Sequence, residues 1–137
     1  MMEEDSVPRV LVVEASTADL YIIDYYLYPH FEVYAAETGE EALMLLKKMV
    51  FDCVMVDADL SDCKSGDLIE SIQTHFGPVP VVLLTGISRT IGHFVTPING
   101  VSTCVNKDMI TNDQLLKTLW EVLEHSPVLC SMIDPKN

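Results

Sequence analysis

Between Phe51 and Asp57 the chain runs apolar and then stops on a carboxylate: Phe51-Asp52-Cys53-Val54-Met55-Val56-Asp57, followed by the acidic loop Ala58-Asp59-Leu60-Ser61-Asp62. A strand that is apolar at consecutive positions has to be covered on both faces, the condition of a parallel sheet with helices above and below it. In such sheets, ligands and chemistry gather just outside the carboxyl ends of the strands. Asp57 is therefore the candidate reacting group, held at the end of a rigid strand and partly withdrawn from water.

The same pattern recurs along the chain. Val10-Leu11-Val12-Val13 stops at Glu14, Val81-Val82-Leu83-Leu84 stops at Thr85, and a run from Val101 to Asn106 stops at Lys107. Phe31 to Ala36 reads as a further strand. Stripes of helical period lie between these runs. Ser16 offers an N-cap, with Asp19 three residues on as its acidic partner, before Leu20, Ile23 and Leu27; Pro29 ends that helix. Thr38 with Glu41 forms a capping box ahead of Ala42, Leu45, Leu46 and Met49. A loop closed by Gly66 leads to a helix from about Asp67 to Phe76, with Leu68, Ile69 and Ile72 turned inward. Ser88 to Gly100 contains Gly92 and Pro97, so its helix should be short or frayed. Thr111 with Gln114 caps a last helix striped by Leu115, Leu116, Leu119, Val122 and Leu123.

Five βα units joined by right-handed crossovers make a five-stranded parallel sheet with helices on both faces, an α/β three-layer sandwich. The expected architecture is the flavodoxin-like (βα)5 fold with strand order 2-1-3-4-5. One domain spans residues 9–126, between an N-terminal extension at 1–8 and a C-terminal tail at 127–137.

Charge narrows the function classes. Eight basic against 21 acidic residues give a net charge of −13, which opposes direct binding to nucleic acid or anionic lipid. The apolar stretches are too short to span a bilayer, and the acidic start Met1-Met2-Glu3-Glu4-Asp5 is not that of a signal peptide. Cys53, Cys63, Cys104 and Cys130 match neither a zinc site nor a disulfide framework, so a reduced, cytoplasmic setting is expected. His30, His75, His93 and His125 are scattered singly, as surface or capping residues are.

With strand order 2-1-3-4-5, Glu14 falls beside Asp57, and Thr85 and Lys107 lie on the other flank. Two adjacent carboxylates suit a hard divalent cation such as Mg²⁺. Asp57 can attack phosphorus and hold the phosphoryl group, while a hydroxyl and an ammonium bind the added oxygens. Singly, Glu14 reads as a loop acid, Thr85 as a strand terminus, Lys107 as a surface lysine and Asp57 as a turn residue. Their order at successive strand ends is what lifts them.

In that order the four residues resemble the receiver domain of two-component response regulators, over about residues 9–125. The resemblance implies Asp57 as phosphoacceptor, Thr85 as the hydroxyl that moves onto the phosphoryl group, and Lys107 as the site cation. It implies Mg²⁺ held by Glu14, Asp57 and the backbone carbonyl of Asp59. The implied partners are a histidine kinase or histidine phosphotransfer protein and a downstream protein target, and the implied role is signalling rather than enzymatic turnover.

Several positions depart from the family. Its second acid after strand one is Ala15 here, which implies weak Mg²⁺ binding unless Glu14 or the Asp59 side chain reaches inward. Gly66 comes one residue later than usual, Ser61 stands where proline is common, and Cys104 occupies the place of the switch aromatic. Asp108 replaces the proline after Lys107, so no cis bond is expected there. The catalytic half looks kept and the relay looks altered.

On the first helix, Tyr21, Tyr25 and Tyr28 recur beside the core stripe, either lying flat on the surface or forming a protein interface, a homodimer among the options. Two other functions stay open. A degenerate receiver would act as a phosphorylation-independent binding or dimerisation module. A haloacid-dehalogenase-type phosphatase would use Asp57 and Asp59 as nucleophile and acid, although its motif normally sits on the first strand and a later acid pair is missing.

Overall fold

A computed structural model of the chain describes residues 7–86 and 100–124. Its strands are β1 (Arg9–Val13), β2 (Glu32–Ala36), β3 (Cys53–Asp57), β4 (Val81–Thr85) and β5 (Thr103–Asn106). They form one sheet in the order β2-β1-β3-β4-β5, and every pairing is parallel. The helices are α1 (Thr17–Leu27), α2 (Gly39–Lys48), α3 (Ser65–Phe76) and α4 (Asn112–Glu124). The expected sheet and strand order are therefore observed. The segment from Ser88 to Gly100, apart from Gly100, and the tail after Pro127 lie outside the described residues.

Because side chains alternate across a strand, each of β1, β3 and β4 feeds two cores. Val10, Val12, Cys53, Met55, Val82 and Leu84 pack with Ile23 and Leu27 of α1 and Leu115, Leu119 and Val122 of α4. Leu11, Val13, Val54, Val56, Val81 and Leu83 pack with Ala42 and Leu46 of α2 and Leu68, Ile69 and Ile72 of α3. Those strands are apolar at successive residues because both faces are filled.

Helix starts follow the expected side chains, with two differences. Thr111 Oγ1 accepts from Gln114 N–H while Gln114 Oε1 accepts from Thr111 N–H, a reciprocal box. At α2, Thr38 Oγ1 accepts from Glu41 N–H, but Glu41 Oε1 reaches one residue further back, to Glu37 N–H. Helix α3 begins at Ser65, not Asp67, so Gly66 lies in its first turn. First-turn N–H groups have no intrahelical acceptor, so glycine's weakness as a helix former matters less there. Ser65 is spent on the preceding loop instead, its Oγ donating to the Ala58 carbonyl over 2.9 Å.

Candidate functional site

The register carries the polar strand ends to one edge. Val13 pairs with Val56 and Asp57 with Leu84, so Glu14, one residue past β1, arrives beside Asp57 at the end of β3. Thr85 pairs with Asn106, and the Lys107 N–H donates to the Thr85 carbonyl over 2.8 Å, which sets Lys107 at the same edge. Together these ends open onto a cavity of about 490 Å³ lined by Glu14, Asp19, Asp57, Asp59 and Lys107, with Ala15, Ser16, Gly86 and Asp108.

Glu14 forms the floor and is 1% exposed. Its Oε1 accepts from Lys107 Nζ at 2.8 Å and its Oε2 from the Ser16 N–H at 3.0 Å. Burial pushes the Glu14 carboxyl up and the nearby Asp57 charge adds to this, while the Lys107 and Ser16 hydrogen bonds pull against them. Asp57 is 5% exposed; its Oδ1 accepts from the Asp59 N–H at 3.1 Å and its Oδ2 lies 3.5 Å from Lys107 Nζ. Burial works to lower the Lys107 ammonium, but the hydrogen bonds it donates to Glu14 and Asp19 and the charge of Asp57 outweigh it and hold the pKa above the ordinary lysine value.

Lys107 owes its position to a turn rather than to a proline. Asn106 Oδ1 accepts from the Asp108 N–H at 3.0 Å, and the Asn106 carbonyl accepts from the N–H groups of Met109 and Ile110. This Asx turn needs the very N–H that proline at 108 would remove.

Glu14, Asp57 and Lys107 are thus brought together, with Asp59 on the wall. Thr85 stands at the edge, but its hydroxyl is turned toward β5, where Oγ1 donates to the Val105 carbonyl at 3.4 Å. The acid that sequence reasoning missed as part of the site is Asp19. Ser16 Oγ does accept from the Asp19 N–H, so the cap is as expected, but the Asp19 carboxylate goes to Lys107 Nζ at 3.0 Å. Asp19's position in the first turn of a helix, behind a strand end, was the available signal; a capping role accounted for it locally.

The donor set is chemically suited to a hard divalent cation, being all oxygen. Its present arrangement is less so: Ala15 contributes no side-chain oxygen, both Glu14 oxygens are engaged, and among the described residues no three His, Cys, Asp or Glu side chains converge as a metal cluster.

The profile of the response regulator receiver domain matches residues 10–119, from β1 into α4. The chain belongs to the receiver domain family. Receivers are the modules of two-component signalling, and in this chain the matched region includes Glu14, Asp57 and Lys107, which line the cavity. The cell cycle transcriptional regulator CtrA of Caulobacter vibrioides is 25% identical over 119 residues, covering 86% of this chain and 51% of that protein. The chain thus spans about half the length of the curated relatives it matches. A CheY-like receiver from Methanospirillum hungatei JF-1 superposes with a TM-score of 0.77 at 25% identity, covering 87% of this chain and 95% of that one. For the receiver domain of an HD domain-containing protein from Pseudomonas fluorescens Pf-5, the TM-score is 0.77 at 23% identity, with 87% and 88% covered. That likeness supports the fold alone.

Family membership assigns the acidic loop after β3 to a receiver rather than to a haloacid-dehalogenase-type phosphatase. Asp57 Oδ2 and Lys107 Nζ lie 3.5 Å apart, and Cys104 is exposed on β5. Tyr21, Tyr25 and Tyr28 are each more than 70% exposed. Among the described residues, no helix is long and apolar enough to cross a membrane.

Proposed function

We propose that this receiver takes a phosphoryl group onto Asp57 from a phosphohistidine of a histidine kinase or phosphotransfer protein, and passes the change on through protein contacts. The observation that carries the reading is the Asp57 carboxylate at the end of β3, with Oδ2 3.5 Å from Lys107 Nζ in a cavity open to a donor. An Asp57 oxygen attacks phosphorus, an O–P bond forms, and the P–N bond to the donor histidine breaks with its electron pair returning to the imidazole. The Asp59 N–H, donating to Oδ1, holds the carboxylate with Oδ2 on the side of Lys107. Lys107 supplies positive charge where the phosphoryl oxygens gather. Thr85 completes the site by rotating its hydroxyl from the Val105 carbonyl onto one of those oxygens, exchanging a long hydrogen bond for a charge-assisted one. The chain is an acceptor that is itself modified once by each phosphoryl donor, rather than an enzyme of multiple turnover.

Mg²⁺ fits this role as a weakly held cofactor. Glu14, Asp57 and the Asp59 backbone carbonyl would hold it, and it would supply positive charge to offset the negative charge of the site. The free thiols of Cys53, Cys63 and Cys104 suit a reducing, cytoplasmic compartment, and the net charge of −13 disfavours direct contact with nucleic acid. The exposed tyrosines of α1 offer a surface for a partner or for a homodimer.

Intact-mass analysis after incubation with acetyl phosphate and Mg²⁺ tests the reading on wild type and Asp57→Asn. An adduct on the wild type alone is expected; none on either chain overturns the proposal in favour of a phosphorylation-independent binding module, the reading that Ala15 and Cys104 favour. Mg²⁺ titration beside Ala15→Asp should show tighter binding in the variant.

A further inference from the structure

The Lys107 ammonium has three N–H donors and three carboxylates around it. Glu14 Oε1 is 2.8 Å away, Asp19 Oδ2 3.0 Å and Asp57 Oδ2 3.5 Å. The two short contacts set where the nitrogen rests, and the reacting carboxylate takes the longest. Ala15 brings only a methyl group to the cavity wall, so the second acid comes from four residues further along, in the first turn of α1. Ser16 fixes that turn by accepting from the Asp19 N–H at 3.2 Å.

We propose that Asp19 is a positioning residue of the acceptor site, holding the Lys107 ammonium between Glu14 and itself and so off the reacting oxygen of Asp57. This rests on the phosphoacceptor reading. With Asp19 removed, Lys107 is left with Glu14 and Asp57, and it settles onto Asp57 Oδ2. A carboxylate oxygen in a close ion pair is a poorer nucleophile, and an ammonium bound there is slower to turn toward the incoming phosphoryl oxygens. The location of Asp19 suits this role, since its carboxylate is about one-third exposed at the cavity mouth while Glu14 lies on the floor. The missing acid at 15 and the acid at 19 are thus one exchange, with the charge moved from the loop to the helix.

Two readouts test it on the full chain. The rate of phosphoryl uptake from acetyl phosphate with Mg²⁺ is followed by intact mass for wild type, Asp19→Asn, Asp19→Glu, Ala15→Asp and Asp19→Asn with Ala15→Asp. Asp19→Asn should be slower by about tenfold, the scale of one charge-assisted hydrogen bond. Asp19→Glu should restore most of the rate. The added Ala15→Asp, compared with Ala15→Asp alone so that any gain in Mg²⁺ binding cancels, should bring the double variant level with that single one, while an effect through helix stability alone would not be rescued from position 15. Independently, the ε-methylene resonance of Lys107 in ¹³C-lysine-labelled protein at fixed pH, assigned with Lys107→Met, should shift in Asp19→Asn. Unchanged uptake in Asp19→Asn, or an unmoved Lys107 resonance, overturns the proposal. A wild type that takes no phosphoryl group instead sinks the acceptor reading, and the resonance alone then decides whether Asp19 holds the ammonium.

Discussion

Lys107 Nζ lies 2.8 Å from Glu14 Oε1, closing an ion pair across 93 residues of chain with the Glu14 side chain buried. Removing the cation leaves a buried carboxylate with only the Ser16 N–H for company. Lys107→Met should therefore destabilise the chain by on the order of 2–3 kcal/mol near neutral pH. The loss should shrink in acid. Glu14 already has a raised folded pKa, so the folded state binds its proton more tightly than the unfolded one, and stability falls as pH rises through the range above the ordinary Glu value. Without Lys107 that range widens upward. Urea unfolding at about pH 4.5 and 7.5 checks this, and a loss equal at both values contradicts it.

Asp62 ties the loop after Asp57 to the start of α2, its two oxygens accepting from the N–H groups of Gly39 and Glu40 at 3.0 and 3.3 Å. The Gly39 hydrogen bond is the main reason the Asp62 carboxyl is held below the ordinary Asp value. A lowered folded pKa contributes stability above the unfolded value and loses it as pH falls through the folded one. Asp62→Ala should cost about 0.5–1 kcal/mol at neutral pH, the lower part of the range for an N-terminal cap because the group is exposed to solvent. Below about pH 3 the two chains should unfold with closer midpoints.

Asp108→Pro restores the residue common in the family and should nonetheless harm this receiver. It deletes the N–H that Asn106 Oδ1 accepts at 3.0 Å, so thermal unfolding should show a loss of about 1 kcal/mol. Asn106→Ala removes the other half of the bond, and the double variant should lose less than the sum of the two. Additive losses would show that the turn is held some other way.

Thr85→Ala should separate stability from function. The hydroxyl donates over a long 3.4 Å to Val105, so its removal should cost less than about 1 kcal/mol in unfolding. The phosphorylated level reached with acetyl phosphate should drop roughly tenfold, and Thr85→Ser should keep it. An unaltered level in Thr85→Ala would take the hydroxyl out of the site.

Much of this molecule was legible along the chain because the relevant signals are local. Apolar runs such as Val54–Val56 and stripes such as Leu115, Leu119 and Val122 report burial through the periods of strand and helix, and with right-handed crossovers they determine the sheet and its order. The strand-end residues Glu14, Asp57 and Lys107 were legible for the same reason, since one topology brings all carboxyl ends to one edge. What only the tertiary structure decided is where side chains with two local options go. Asp19 could close a capping box or leave its helix, and Thr85 could face the cavity or β5; Lys107 at 3.0 Å and Val105 at 3.4 Å made those choices. Asp62 reaching across 23 residues to Gly39 is of the same kind. A polar side chain takes the best partner that space offers, and that partner's distance in space is not written in its distance along the chain.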